Sequence, residues 1–136
     1  MSIAIAALLS ACKVPDDPEH TTQDVTGSVL KVGALTDPLD PVEADVVTLL
    51  AGMLQAEPEV VRGDPHGLFA QLEAGKIHVV AGRIPSDTPF AADVALTDPL
   101  GQLTLAEDTE DRVLAIQKGE NRFLGTLNRA IREVVE

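Results

Sequence analysis

The sequence predicts an α/β lobe: a mostly parallel sheet of about five strands, flanked by helices. Three observations predict it. Apolar residues between positions 29 and 81 switch in turn between strand and helix periods, in the order strand, helix, strand, helix, strand. The third strand segment, Ile77 to Ala81, is nearly continuously apolar, as in a strand covered on both faces. Aliphatic side chains must fill the core, because aromatics are only 2% of the 136 residues while hydrophobic residues are 45%. The length suits one domain.

The elements follow in order. Val29 to Leu35 alternates between Gly27-Ser28 and Thr36-Asp37-Pro38 and reads as the first strand. Asp40, Pro41 and Glu43 carry the pattern of a capped helix start with a capping box. Val42, Val46, Leu49, Leu50 and Met53 then place a helix from about Pro41 to Gln55. Glu57 to Val61 is a short strand. Asp64-Pro65 opens a second helix, Leu68, Phe69 and Leu72 are its buried face, and Gly75 is its left-handed stop. After the strand at Ile77 to Ala81 comes a loop from Gly82, then a short strand at Val94 to Thr97 and a turn at Asp98 to Gly101. Arg112 to Gln117 is the last strand. A final helix carries Phe123, Leu124, Leu127 and Ile131 on one face.

Charge and composition exclude some functions. The net charge is −12, so there is no basic stripe for nucleic acid, and the lack of aromatics removes base stacking. His20, His66 and His78 are scattered; Asp64-Pro65-His66 offers no second metal ligand at helical spacing. Glu107, Asp108, Glu110 and Asp111 lack the spacing and the Gly turn of a calcium loop. They read as a solvated linker or as a docking surface for a basic partner. No phosphate-binding glycine loop or other cofactor motif is present. Ser86 has no local base to make it a nucleophile.

The N-terminus has its own logic. Ile3 to Ala11 is a short apolar run, and Leu9 to Cys12, "LSAC", resembles a bacterial lipobox with Cys12 as the lipidated residue. No Lys or Arg precedes the run, and the alternative is a frayed apolar N-terminus. On the lipobox reading, residues 1–12 are a lipoprotein signal-like segment. Residues 13–27 are then a polar tether that does not pack, and residues 28–136 are the lobe. The protein then sits on the periplasmic or extracellular face of a membrane.

The runs "LKVGALTD", "GLFAQLEAGKIHVVAGRIPSDTP" and "VALTDPL", closed by "RVLAIQKGENRFLGTLNRAIREV", together resemble one lobe of the family 3 extracellular solute-binding proteins. These are the amino-acid-type binding components of bacterial ABC importers. The resemblance covers Val29 to Glu136 and implies a single periplasmic-binding-protein-like (type II) lobe, partnered by a membrane permease and binding a small polar solute such as an amino acid. It places ligand contacts at the carboxyl ends of the strands, on Asp37, Gly82, Arg83, Ser86 and Thr88.

Departures from the pattern are equally specific. The second lobe is missing. The Arg that usually follows "TP" and grips the ligand carboxylate is replaced by Phe90-Ala91. His78 stands where an Asp is common. Arg83 either replaces the missing Arg or points away. The rival reading is a docking or regulatory module without a small-molecule ligand. A homodimer covering the cleft edge is a variant of either, which an exposed apolar patch at Ile84, Pro85 and Phe90 would mark. An enzyme is the third class, and no acid/base pair supports it.

Overall fold

The computed structural model describes residues 17–105 and 108–136. Cys12, the lipobox and Glu107 lie outside the described residues.

Helix α1 (Thr21–Val25) precedes strand β1 (Val29–Ala34). Helix α2 (Pro41–Met53) returns the chain to β2 (Glu57–Arg62), and α3 (Pro65–Glu73) leads to β3 (Val79–Pro85). Strands β4 (Val94–Leu96), β5 (Gly101–Leu105) and β6 (Asp108–Gln117) follow, and α4 (Asn121–Val135) ends the chain.

The strands form one sheet in the order β2-β1-β3-β6-β4, with β5 on β6. Strand β1 pairs parallel with β2 and β3. Strand β6 is antiparallel to β3, β4 and β5. Only β6 therefore opposes the common strand direction, and the sheet is mixed but mostly parallel.

The apolar periods explain the two layers. Alternate side chains of a strand face opposite sides. Leu30, Val32, Val79, Ala81, Leu114 and Ile116 face α2 and α4, where Val46, Leu50, Phe123 and Leu127 complete one core. Val80, Ile84, Val113 and Ala115 face the other way, onto Leu68, Phe69 and Leu72 of α3. Covered on both faces, Val79 to Ala81 are fully buried.

Local signals set most element ends. The Asp64 carboxylate accepts a hydrogen bond from Gly67 N–H at 3.2 Å and caps α3. Gly75, at φ +73°, lies just beyond the C-cap of α3, as expected.

Four expectations need correction. Strand β3 starts at Val79 and runs through Gly82 to Pro85, so the loop begins at Ser86. A bulge between Val80 and Ile84, with Gly82 at φ +128° and Arg83 at φ +58°, lets it continue. The chain from Gly101 is strand β5 instead of the end of a turn. Asp108 to Asp111, read as linker, are the first part of β6 and pair with β5. The expected tether is packed from Asp17 onward: Val25 is fully buried and belongs to the α2/α4 core.

The physical reason for that last difference is a pair of carboxylates, buried Glu120 and half-buried Asp17. Glu120, before α4 and 1% exposed, accepts from Glu19 N–H at 3.0 Å, Thr21 N–H at 3.3 Å and Thr21 Oγ1–H at 2.6 Å. Asp17 accepts in return from Phe123 N–H at 3.0 Å, in the first turn of α4, and from Thr22 N–H at 3.1 Å. Each acid satisfies free amides at the start of the other's helix.

Candidate functional site

Strands β1 and β3 end, and the sheet-paired part of β6 begins, at one edge of the lobe. The bulged end of β3 carries Gly82 and Arg83, and the loops beside it carry Asp37, Ser86 and Thr88, so all five residues expected to contact a ligand lie there. The structure brings them to one edge and gives most of their polar groups internal partners.

Asp37 pairs with Arg62 at the end of β2, at 2.6 Å, and both are exposed. Ser86 Oγ–H donates to Glu110 Oε2 at 3.1 Å, and Ser86 N–H donates to Asp111 O at 2.8 Å. Thr88 is buried, and its Oγ1 accepts from Phe90 N–H at 3.4 Å, which is ordinary loop capping. Phe90 stacks on Phe69 with centroids 4.1 Å apart, and Ile84 is 3% exposed. The apolar patch that would have marked a dimer face is folded into the α3 side of the core.

At Gly82 two stretches of backbone approach closely. A Cβ there would lie 2.7 Å from Leu35 Cβ and 2.9 Å from the backbone nitrogens of Leu35 and Thr36. Only glycine fits, both for space and for its φ of +128°. The Gly82 N–H donates to Glu43 Oε1 at 3.1 Å, and the Arg83 N–H to the same oxygen at 3.3 Å.

Glu43 and Arg112 are the residues that sequence reasoning missed as edge residues. Glu43 was assigned to a capping box. It turns inward instead, is fully buried and grips the bulge. Burial pushes its carboxyl above the ordinary value of 4.5; the Gly82 and Arg83 amides and the Arg112 charge pull the other way. The only sequence signal was its place in the first turn of an apolar helix that starts at the sheet edge.

Asp40 also departs from its sequence role. It occupies the N-cap position of α2 without making a side-chain capping bond. Its Oδ2 accepts from Arg112 Nη1 at 2.6 Å and lies 3.7 Å from Arg83 Nη1. The Arg83 guanidinium therefore points along the edge, toward the carboxylates, and is 55% exposed. Arg112 is more enclosed, at 13%. Among the described residues, Arg112 Nε, Glu43 Oε2 and Thr36 Oγ1 are buried without a hydrogen-bond partner. Around Asp40 the edge thus gathers two guanidinium groups, with the buried Glu43 carboxylate behind them and polar atoms left unused.

A groove of about 440 Å³ lies elsewhere, between β1, β2 and α3, and is lined by Lys31, Glu59, Gln71, Lys76 and His78 among others. It lies away from the carboxyl-end loops, where ligands of open parallel sheets gather. His78 already has a structural task there: its Nδ1 accepts from Lys31 N–H at 2.9 Å. Burial, then the Lys31 charge, holds its pKa below the ordinary 6.5.

No family model matches the sequence, and no curated protein matches it. Solved structures do match in fold. Domain 1 of TmArgBP, in its arginine-bound form, superposes with a TM-score of 0.67 at 24% identity, covering 79% of this chain and 93% of that one. The substrate-binding protein of an amino acid ABC transporter gives 0.67 at 13% identity, over 78% of this chain and 92% of that one. The substrate-binding protein AbpA from Streptococcus pneumoniae, bound to L-arginine, gives 0.68 at 8% identity, over 79% and 89%. The chain therefore has the fold of a single lobe like those of amino-acid-binding proteins that serve ABC transporters.

Proposed function

We propose that this protein is an extracytoplasmic, solute-binding-protein-like component of an amino-acid ABC transporter, lipid-anchored through Cys12. It hands a small polar solute to a membrane permease. The observation that carries this reading is the match to an isolated domain 1 that was solved with arginine bound. A lone lobe of this fold is thus compatible with an amino-acid ligand. Asp37, Gly82, Arg83, Ser86 and Thr88, at or beside the strand ends of one edge, are our proposed ligand-side residues, with Arg83 in place of the absent Arg. A cationic amino acid fits the acidic surroundings, since Asp37, Asp40, Asp87 and Glu110 lie at or near this edge and the chain carries −12 overall.

We read the protein as a binder and not an enzyme. The buried acid at the edge, Glu43, is engaged with two backbone amides. A proton-transfer group needs reach to a substrate atom.

The docking-module reading is favoured by one observation: Arg62, Arg83 and Arg112 each already face a carboxylate within the lobe. Calorimetric titration of the chain with L-arginine, other amino acids and small cations separates the two. Saturable heat that weakens on changing Arg83 supports solute binding. A folded chain that gives no heat with any of them leaves the docking module, with the permease as the partner to capture. The mass of the chain recovered from a bacterial host reads lipid on Cys12 directly.

A further inference from the structure

We infer that Arg112, with Arg83 beside it, is a carboxylate seat, and that Asp40 is a built-in competitor occupying it in place of a ligand's carboxylate. The inference rests on the solute-binding reading and names the residues by which the edge would take and regulate its ligand.

Three observations carry it. First, the Asp40 carboxylate leaves its own helix uncapped and reaches both guanidinium groups through a single oxygen, Oδ2. An N-cap Asp normally accepts from the amides of its own first turn. Second, the Arg112 fork is only partly used. Its Nη1 meets Asp40, while its Nε–H is buried without an acceptor among the described residues. A free carboxylate in the place of Asp40 can take Nη1–H and Nη2–H together, in the two-point geometry that guanidinium groups favour. Asp40, fixed by its helix, meets it at one point. Third, Arg112 is 13% exposed whereas Arg83 is 55% exposed. One guanidinium is thus enclosed enough for strong pairing, and the other is free to close over an incoming anion.

The consequence is competition within the chain. A tethered carboxylate acts at an effective concentration on the order of millimolar or above. A ligand carboxylate must displace it, so the native chain binds weakly and a chain without the Asp40 charge binds tightly. The edge then discriminates for ligands with a second contact, since a bare carboxylate only exchanges one anion for another.

The test uses the full chain and its Asp40→Ser variant, which keeps a capping oxygen but cannot reach Arg112. Both are titrated by NMR or calorimetry with sodium acetate, glycine and L-arginine. The seat predicts that Asp40→Ser raises acetate affinity by about tenfold or more, and that adding Arg112→Lys abolishes the gain. Unchanged or weaker acetate binding overturns the inference, as does a gain that survives Arg112→Lys. Asp40→Asn, nearly the same shape without the charge, gives the same reading if the serine variant does not fold. Acetate gain without amino-acid binding keeps the seat and sinks the solute-receptor reading. Amino-acid binding indifferent to Asp40 and Arg112 does the reverse.

Discussion

Glu43 and Gly82, 39 positions apart in sequence, are joined by a buried hydrogen bond of 3.1 Å from the glycine amide to Oε1. The same oxygen takes the next amide, so one carboxylate from α2 fixes the bulge by which β3 reaches the strand-end loops. This contact ties the helix to the sheet at the edge where the charged side chains gather.

Replacing Glu43 should therefore depend strongly on what replaces it. Glu43→Ala leaves two amides without an acceptor and is expected to cost about 2–4 kcal/mol. Glu43→Gln keeps an acceptor and removes a buried charge. The folded pKa of Glu43 is raised above 4.5, so its contribution is fully present below about that pH and is lost as pH rises through the folded value. Urea melts should show Glu43→Gln close to the native chain at pH 4 and as stable or more stable at pH 8. Equal losses for both variants at pH 8 would show that the charge itself is needed.

Gly82 and Gly125 should respond to alanine in opposite directions. At Gly82 the added Cβ meets Leu35 and Thr36 backbone below 3.0 Å, at a positive φ; we expect a loss of about 3 kcal/mol or more. At Gly125, inside α4, the Cβ meets nothing within 4 Å. Helix propensity then gives a gain of about 0.5–1 kcal/mol. Thermal melts of the two variants check both signs.

His78 sets a second pH dependence, opposite in sign to that of Glu43. Its folded pKa is lowered below 6.5, so its stabilisation is complete above that pH and is lost as pH falls through the folded value. The protonated ring can no longer accept from Lys31 N–H. His78→Leu should cost about 1–3 kcal/mol at pH 8, and its deficit against the native chain should shrink toward pH 5. A deficit constant from pH 8 to 5 would contradict this role.

The carboxylate pair at the N-terminal end predicts where the folding unit starts. A chain shortened to begin at Ser28 loses Val25 from the core and the partners of Glu120. We expect it to be less stable by about 2–4 kcal/mol than one beginning at Asp17. Glu120→Ala should speed amide exchange at residues 21–25 while sparing β3. Protection unchanged at 21–25 would rule out the strap.

The sequence made the periodic parts of this fold legible, and it failed where tertiary partners competed with local ones. Asp64 and Asp40 look alike in sequence, each followed by Pro. Asp64, in no ion pair among the described residues, caps its helix, whereas Asp40 has Arg112 at 2.6 Å and does not. Asp108 to Asp111 read as linker because those four residues are all polar and carry no apolar alternation, although Leu103 of the paired β5 is buried. The bulge at Arg83 was hidden because a non-glycine residue at φ +58° leaves no compositional trace. The five residues expected on the ligand side do lie at one edge, whereas Arg112 and Glu43, which share that edge, come from a strand and a helix whose patterns advertise only packing.

The strap between Asp17 and α4 also gives the lobe a polarity. Asp17 touches Phe123, just beyond the end of β6, at the pole where the parallel strands begin. Arg83, Asp40 and Arg112 gather at the other pole. Whatever joins the lobe through residues before Asp17 therefore meets it at its base, opposite the charged rim, like the foot of a cup.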